Sequence, residues 1–201
     1  MTHIGLESAL VALAFLALGR LPEPYASYAL VAAMLYTPLL LKAPIESFRP
    51  TDPAAARRWA WISVGFLLAF SLTMVAYAMG YLQRSWQSPD WQRLASYSGS
   101  TLLSAAIPEE WFFRGFVLAR WQPALAVPRP WWRPSRANML VSALFGVAHV
   151  CVDLNPARMI VAIPSLWYGA MAEQGAGLAL CMTAHALSNI LMYLWVSGFG
   201  F

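Results

Sequence analysis

Charge is what this chain has least of. Only 11% of its 201 residues are Asp, Glu, Lys or Arg, where a soluble domain carries about 25%. With 60% of the residues hydrophobic, a water-soluble core is excluded as an explanation of the composition. Cysteine is almost missing as well. Cys151 and Cys181 are the two present, and Cys181 falls in an apolar run, which argues against a disulfide framework; no CxxC pair suggests a metal knuckle. No HExxH occurs, so the helix-borne zinc-peptidase pattern is absent. No basic run interleaved with aromatics offers a nucleic-acid surface, and the net charge of +4 reflects loop arginines instead. The first apolar run lacks a basic segment before it and is interrupted early by Glu7. It therefore reads as a retained span, not a cleaved signal. Neither an internal repeat nor a low-complexity segment is visible, and residues 1–201 read as one integral membrane domain.

What the chain does have is apolar length and tryptophan. Ten Trp residues suit the bilayer–water boundary, where Trp and Tyr gather. Seven apolar stretches can be drawn: Ile4–Leu18, Tyr25–Leu41, Trp59–Leu82, Leu94–Ala119, Ala137–Val150, Ala157–Ala172 and Gly177–Val196. The expectation is an all-α, polytopic bundle of about seven membrane helices. The first, fifth and sixth stretches are short against the ~20 residues of a full span; Leu6–Leu18 or Ile160–Ala172 could fall short of crossing. Lys42, Arg49, Arg57 and Arg58 occupy one connection, and Arg120, Arg129, Arg133 and Arg136 another. Seven spans put both on the same face as the N-terminus, which the positive-inside rule makes cytoplasmic. The other loops carry Arg20, Arg84, Arg93 and Arg158. Pro123–Pro134, with Trp131 and Trp132, reads as an interfacial hinge. Pro44, Pro53, Pro108 and Pro164 are expected at turns or kinks.

Against this background the buried-charge candidates stand out. Glu109 and Glu110 lie within Ile107-Pro108-Glu109-Glu110-Trp111-Phe112-Phe113-Arg114, and an ionisable residue inside a membrane segment is a functional-site hypothesis by default. Glu110 and Arg114 are spaced i,i+4 with the acid first, the favourable order for a helical ion pair. Glu109, turned by ~100° from Glu110, is left to face a cavity. Alternatively the three residues form a polar network that locks helices together. His149 ends the fifth stretch, and His185 lies inside the seventh with Asn189 one turn on. Counted at 1.5 Å per residue, Glu109, His149 and His185 lie ~17, ~20 and ~12 Å from the arginine-rich face. One carboxylate and two imidazoles thus share a layer near the bilayer midplane.

Three short patterns in order carry a resemblance: Glu109-Glu110-Trp-Phe-Phe-Arg114, Phe145-Gly-Val-Ala-His149 and His185-Ala-Leu-Ser-Asn189. Together they resemble the CAAX prenyl protease and bacteriocin-processing (CPBP, or Abi-type) family of intramembrane glutamic endopeptidases. The resemblance runs from about Leu94 to Val196; the first three stretches show only generic hydropathy. It implies a peptidase in which Glu109 and His149 hold and deprotonate a water, while His185 and Asn189 donate to the developing oxyanion. Glu110, Arg114 and Phe145 would support them. The implied partner is a membrane-associated protein or peptide, possibly its C-terminal tail, at the cytoplasmic membrane of a bacterium or archaeon. In the prenyl-processing branch that tail is isoprenylated, and the chain is short for that branch.

No cofactor is expected. A zinc-dependent version remains the alternative, since one carboxylate and two imidazoles make an open zinc shell that Cys181, one turn before His185, could join. The amide of Asn189 suits an oxyanion better than a metal. Two further readings stand beside the peptidase: a non-catalytic immunity or scaffold protein, and a proton-coupled carrier. No paired broken-helix halves or inverted repeat favour the carrier.

Overall fold

The computed structural model describes residues 3–43, 45–128, 130 and 133–200. Among these residues there is no strand, and the expected all-α class is what is found. Seven helical rods follow one another: α1 (His3–Leu18), α2 (Tyr25–Leu40), α3 (Pro53–Tyr81), α4 (residues 91–121), α5 (Arg136–Asp153), α6 (Ala162–Glu173) and α7 (Leu178–Phe199). Each apolar stretch yields one rod. Two of them, α3 and α7, are long and apolar enough to cross a bilayer unaided. α1 and α2 have 16 residues each, and α6 has 12. Among the described residues seven helical rods are therefore present, and full crossing is met by length and hydropathy in two.

Local chemistry sets the rod ends more sharply than hydropathy does. α3 starts six residues before Trp59 because the Asp52 carboxylate accepts from Ala54 N and Ala55 N and Pro53 occupies the first helical position. Asp90 caps α4 in the same way, and the Ser135 hydroxyl accepts from Asn138 N at the start of α5. The sixth stretch is not one helix. Asn155 and Pro156 open a 3-10 segment, Pro156–Val161, and the α-helix begins only at Ala162, with Pro164 in its first turn. Pro123 likewise begins a short 3-10 turn, Pro123–Leu125, followed by irregular chain, as a hinge requires. Pro44, Arg129, Trp131 and Trp132 lie outside the described residues.

α4 is the unusual rod. Two π-helical segments, Thr101–Ala106 and Trp111–Leu118, flank a single α-helical turn, Ile107–Glu110. Pro108 has no N–H to give the preceding turn, and a widened turn accommodates its ring. Wide turns also release carbonyls. Gly115 O, in the second of them, accepts from Glu46 N at 2.9 Å, which draws the α2–α3 connection against α4. That connection is held from the other side by Thr51 N to Gly175 O and by Leu178 N to Ser47 O, each 3.0 Å. Gly177 makes the approach possible: its φ is +85°, and a Cβ there would stand 2.8 Å from Phe48 O and Arg49 C.

α5 lies inside the bundle, packed on α1, α4 and α6, while α7 packs on α3, α4 and α6. Phe15, Phe112, Phe113, Phe116, Trp121 and Phe145 form the buried aromatic core between α1, α4 and α5. The surface is strongly apolar: Leu10, Leu13, Tyr36, Trp61, Leu68, Leu72 and Ile163 are all exposed. Bare hydrocarbon on this scale is what a bilayer covers.

α5 and α6 approach closely at Gly169. The Asn138 amide donates to Leu166 O at 2.9 Å, directly over Gly169, where any Cβ would collide with the Asn138 side chain. Gly169→Ala is expected to lower stability by about 1–3 kcal/mol through overpacking. Thermal unfolding of the detergent-solubilised protein, followed by tryptophan fluorescence, reads this as a fall in Tm.

Candidate active site

The turn Ile107–Glu110 presents its two carboxylates in different directions, and the bundle meets each with different chemistry. Glu110 and Arg114 are fully buried, and Arg114 Nη1 donates to Glu110 Oε1 at 3.0 Å, the i,i+4 pair expected from the spacing. The guanidinium also reaches α6, where Nη2 donates to Ser165 O at 3.0 Å and to Ser165 Oγ at 2.6 Å. Its plane is covered by the rings of Phe145, 4.9 Å away, and Tyr168, 5.5 Å away. Around this buried guanidinium a carboxylate, two oxygens and two π faces stand where water would be.

The same oxygen of Glu110 has a second donor. His185 Nδ1 lies 2.7 Å from Glu110 Oε1. An oxygen already accepting from a guanidinium accepts here too, so Nδ1 carries the hydrogen and Nε2 is turned outward. Nε2 then faces Glu109 Oε2 at 3.7 Å. The imidazole is held flat against Tyr168, with ring centroids 5.0 Å apart and an interplanar angle of 15°. His185 was paired by spacing with Asn189; the stronger tie is to Glu110.

His149 approaches Glu109 from the other side. Its Nδ1 lies 2.9 Å from Phe145 O, one turn back, and a carbonyl only accepts, so Nδ1 donates and Nε2 is free. Nε2 stands 4.0 Å from Glu109 Oε1. Both gaps at Glu109 exceed a hydrogen bond. Among the described residues Glu109 Oε2 is buried with no hydrogen-bond partner, a costly state in low dielectric. Phe145 packs beside both imidazoles, 4.5 Å from the His149 ring and 6.1 Å from that of His185.

Glu109, His149 and His185 are thus brought together, with Glu110, Arg114 and Phe145 behind them. Asn189 is more distant in its bonding: its amide donates to Thr101 Oγ1 of α4 at 3.2 Å. Ser165, Tyr168 and Thr101 were not singled out from the sequence. Ser165 follows Pro164 as a small polar residue in an apolar stretch, which is a visible signal; Tyr168 has none beyond its hydroxyl. Among the described residues no group of three or more His, Cys, Asp and Glu side chains is arranged to hold a metal ion. Cys181 is buried and donates to Tyr168 O.

A cavity of about 190 Å³ reaches Glu109 and His149 and is also lined by Ser27, Ser104, Ala148, Val152, Asp153 and Arg158. A second groove, about 280 Å³ and almost wholly apolar, runs between α1, α2 and the later half of α4. Phe15 and Met34 line both.

Residues 91–191 match the family described as Type II CAAX prenyl endopeptidase Rce1-like. The chain belongs to this family. The Rce1-like match begins at the first residue of α4 and ends in α7, so it contains all the residues gathered around Glu109. Neither curated proteins nor solved structures gave a match. At the family level the chain is a helical membrane protein of the CAAX-protease type.

Removing the guanidinium should expose how much the site leans on it. Arg114→Ala leaves Glu110 and His185 without their third member and is expected to cost about 3–5 kcal/mol, as for breaking a buried pair. Arg114→Lys keeps the charge but cannot span Glu110 and Ser165 together, so its Tm should fall between those of Ala and wild type. Parallel thermal melts in one detergent measure both.

Proposed function

We propose that this protein is an intramembrane endopeptidase that hydrolyses a peptide bond of a membrane-associated polypeptide through a water activated by Glu109 and His149. The observation that carries the reading is the position of Glu109, the carboxylate that lines the cavity while Glu110 is held behind it through Oε1 by Arg114 and His185. A water held between Glu109 Oε1 and His149 Nε2 would have an acceptor on either side. As its oxygen attacks the scissile carbonyl carbon, Glu109 takes the proton. The proton then passes to the leaving amide nitrogen as the C–N bond breaks, so no other reactant is required.

The oxyanion needs donors. His185, fixed by Glu110 at Nδ1, offers an Nε2–H to the oxyanion in its doubly protonated form. Asn189 spends one amide hydrogen on Thr101 and keeps the second for the oxyanion. Arg114 acts only through Glu110 and Ser165, and Phe145 and Tyr168 fix the imidazole planes. In this reading all seven rods cross or enter the membrane, with the N-terminus and the Lys42–Arg58 and Arg120–Arg136 connections on the cytoplasmic side.

Glu109→Gln keeps shape and removes the base. Cleavage of a co-expressed substrate, scored as kcat, is expected to fall by roughly 10²–10⁴-fold with the melting profile unchanged; undiminished turnover by purified Glu109→Gln rules the mechanism out. We also read the site as metal-free, since the amide of Asn189 suits an oxyanion better than a metal. Activity should survive exhaustive chelation, whereas stoichiometric zinc whose removal stops cleavage would establish the zinc-dependent version instead.

A further inference from the structure

α6 carries none of the three sequence patterns found on α4, α5 and α7, yet its Tyr168 touches α7 along two turns. The Tyr168 carbonyl accepts from Cys181 Sγ at 3.4 Å. Its ring lies flat against the His185 imidazole, and its hydroxyl bonds to Ser188. Ser188 Oγ spends its own hydrogen on Ala184 O at 2.8 Å, so at this contact Tyr168 donates and Ser188 accepts. Positions 181, 185 and 188 are spaced i, i+4, i+7, a single stripe of a helix. One tyrosine, 2% exposed, thus engages the whole stripe that bears His185. Tyr168 itself has little room to drift. On either side of it along α6, Ser165 is bonded to Arg114, and Leu166 O and Gly169 are pressed against Asn138.

What the stacked ring adds is direction. His185 has one short bond, from Nδ1 to Glu110 Oε1 at 2.7 Å. A single bond fixes a point and leaves the imidazole free to tilt about it, which would swing Nε2 away from Glu109. The Tyr168 face, 15° from parallel with the imidazole, removes that freedom, and Phe145 closes on the ring at a steep angle of 73°. The same tyrosine ring lies 5.5 Å from Arg114 Cζ, so the imidazole and the guanidinium that holds Glu110 are set against one surface. We infer that Tyr168 is a positioning residue for the hydrolysis: its ring sets the plane of His185 and so aims Nε2, while its hydroxyl, through Ser188, keeps α6 in register with α7. The consequence for turnover rests on the peptidase reading; the hold on the imidazole does not.

The chain has three histidines, few enough to follow each ring by NMR. Full-length protein with isotope-labelled histidine is solubilised in detergent, and the His3 and His149 signals are assigned by replacing each with Gln. The ring nitrogen resonances of His185 then report whether it keeps one fixed Nδ1–H bond. Tyr168→Leu removes the stacked face. Its His185 resonances should shift or broaden, and kcat per folded molecule should fall by roughly 10- to 10²-fold, the scale of a small misplacement, with KM little changed. Tyr168→Phe keeps the face and should recover most of both. A fall in kcat with His185 resonances as in wild type overturns the proposal, and so does a disturbed imidazole with undiminished kcat. Tyr168→Phe as impaired as Tyr168→Leu overturns the role of the ring and gives it to the hydroxyl. Should Tyr168→Leu fail to accumulate, Tyr168→Met, whose flexible chain refills the gap, is judged by the same criteria. Full cleavage by Glu109→Gln would end the glutamate mechanism, and the resonances of Tyr168→Leu would still decide whether this ring holds His185.

Discussion

A single buried carboxylate oxygen holds the chemistry of this molecule in place. Glu110 Oε1 accepts from Arg114 on its own rod and from His185 on α7, and Arg114 passes the linkage to Ser165 on α6. Three rods are thereby referenced to one atom. In hydrocarbon such a point is strong because the alternative is an unpaired charge without water. The cost of burying it is shared among a guanidinium, an imidazole and two aromatic faces, and no member can be withdrawn without stranding another.

Fixing Glu110 is what leaves Glu109 unfixed. Adjacent residues on a helix face different surroundings, and here one carboxylate has two donors while its neighbour has none among the described residues. The flanking π segments belong to the same arrangement, since a widened turn on either side of Ile107–Glu110 sets the angle at which the pair meets α5 and α7. Wide turns of this type occur often at functional sites, and in α4 they also free Gly115 O for the α2–α3 connection. A reactive acid next to a structural one is a division of labour that local backbone geometry maintains.

Much of this was legible in the sequence, and for identifiable reasons. Apolar runs gave the seven rods, because a helix that meets lipid must be hydrophobic along its length. The Glu110–Arg114 pair followed from its i,i+4 spacing, and the shared depth of Glu109, His149 and His185 from simple helical rise. Partners that meet across helices were not legible. His185 and Glu110 are separated by 75 positions, and no periodicity within either segment points to the other; Asn189 on the same face looked the more natural companion. Ser165, Tyr168 and Thr101 escaped for the same reason. The start of α3 was missed because hydropathy is blind to Asp52 and Pro53, which are polar or helix-breaking on average yet cap a helix when placed in order.

The brevity of α1 and α2 has a consequence for the lipid itself. Sixteen residues span about 24 Å, against a hydrocarbon core of about 30 Å. In the reading in which all seven rods cross, one flank of the protein is thus thinner than the bilayer around it, and acyl chains beside that flank compress or splay. Hydrophobic mismatch of this kind is modest per ångström but acts wherever the protein diffuses. Membranes of shorter-chain lipids relieve it and longer-chain ones aggravate it, so bilayer thickness becomes a variable to which this edge of the fold responds.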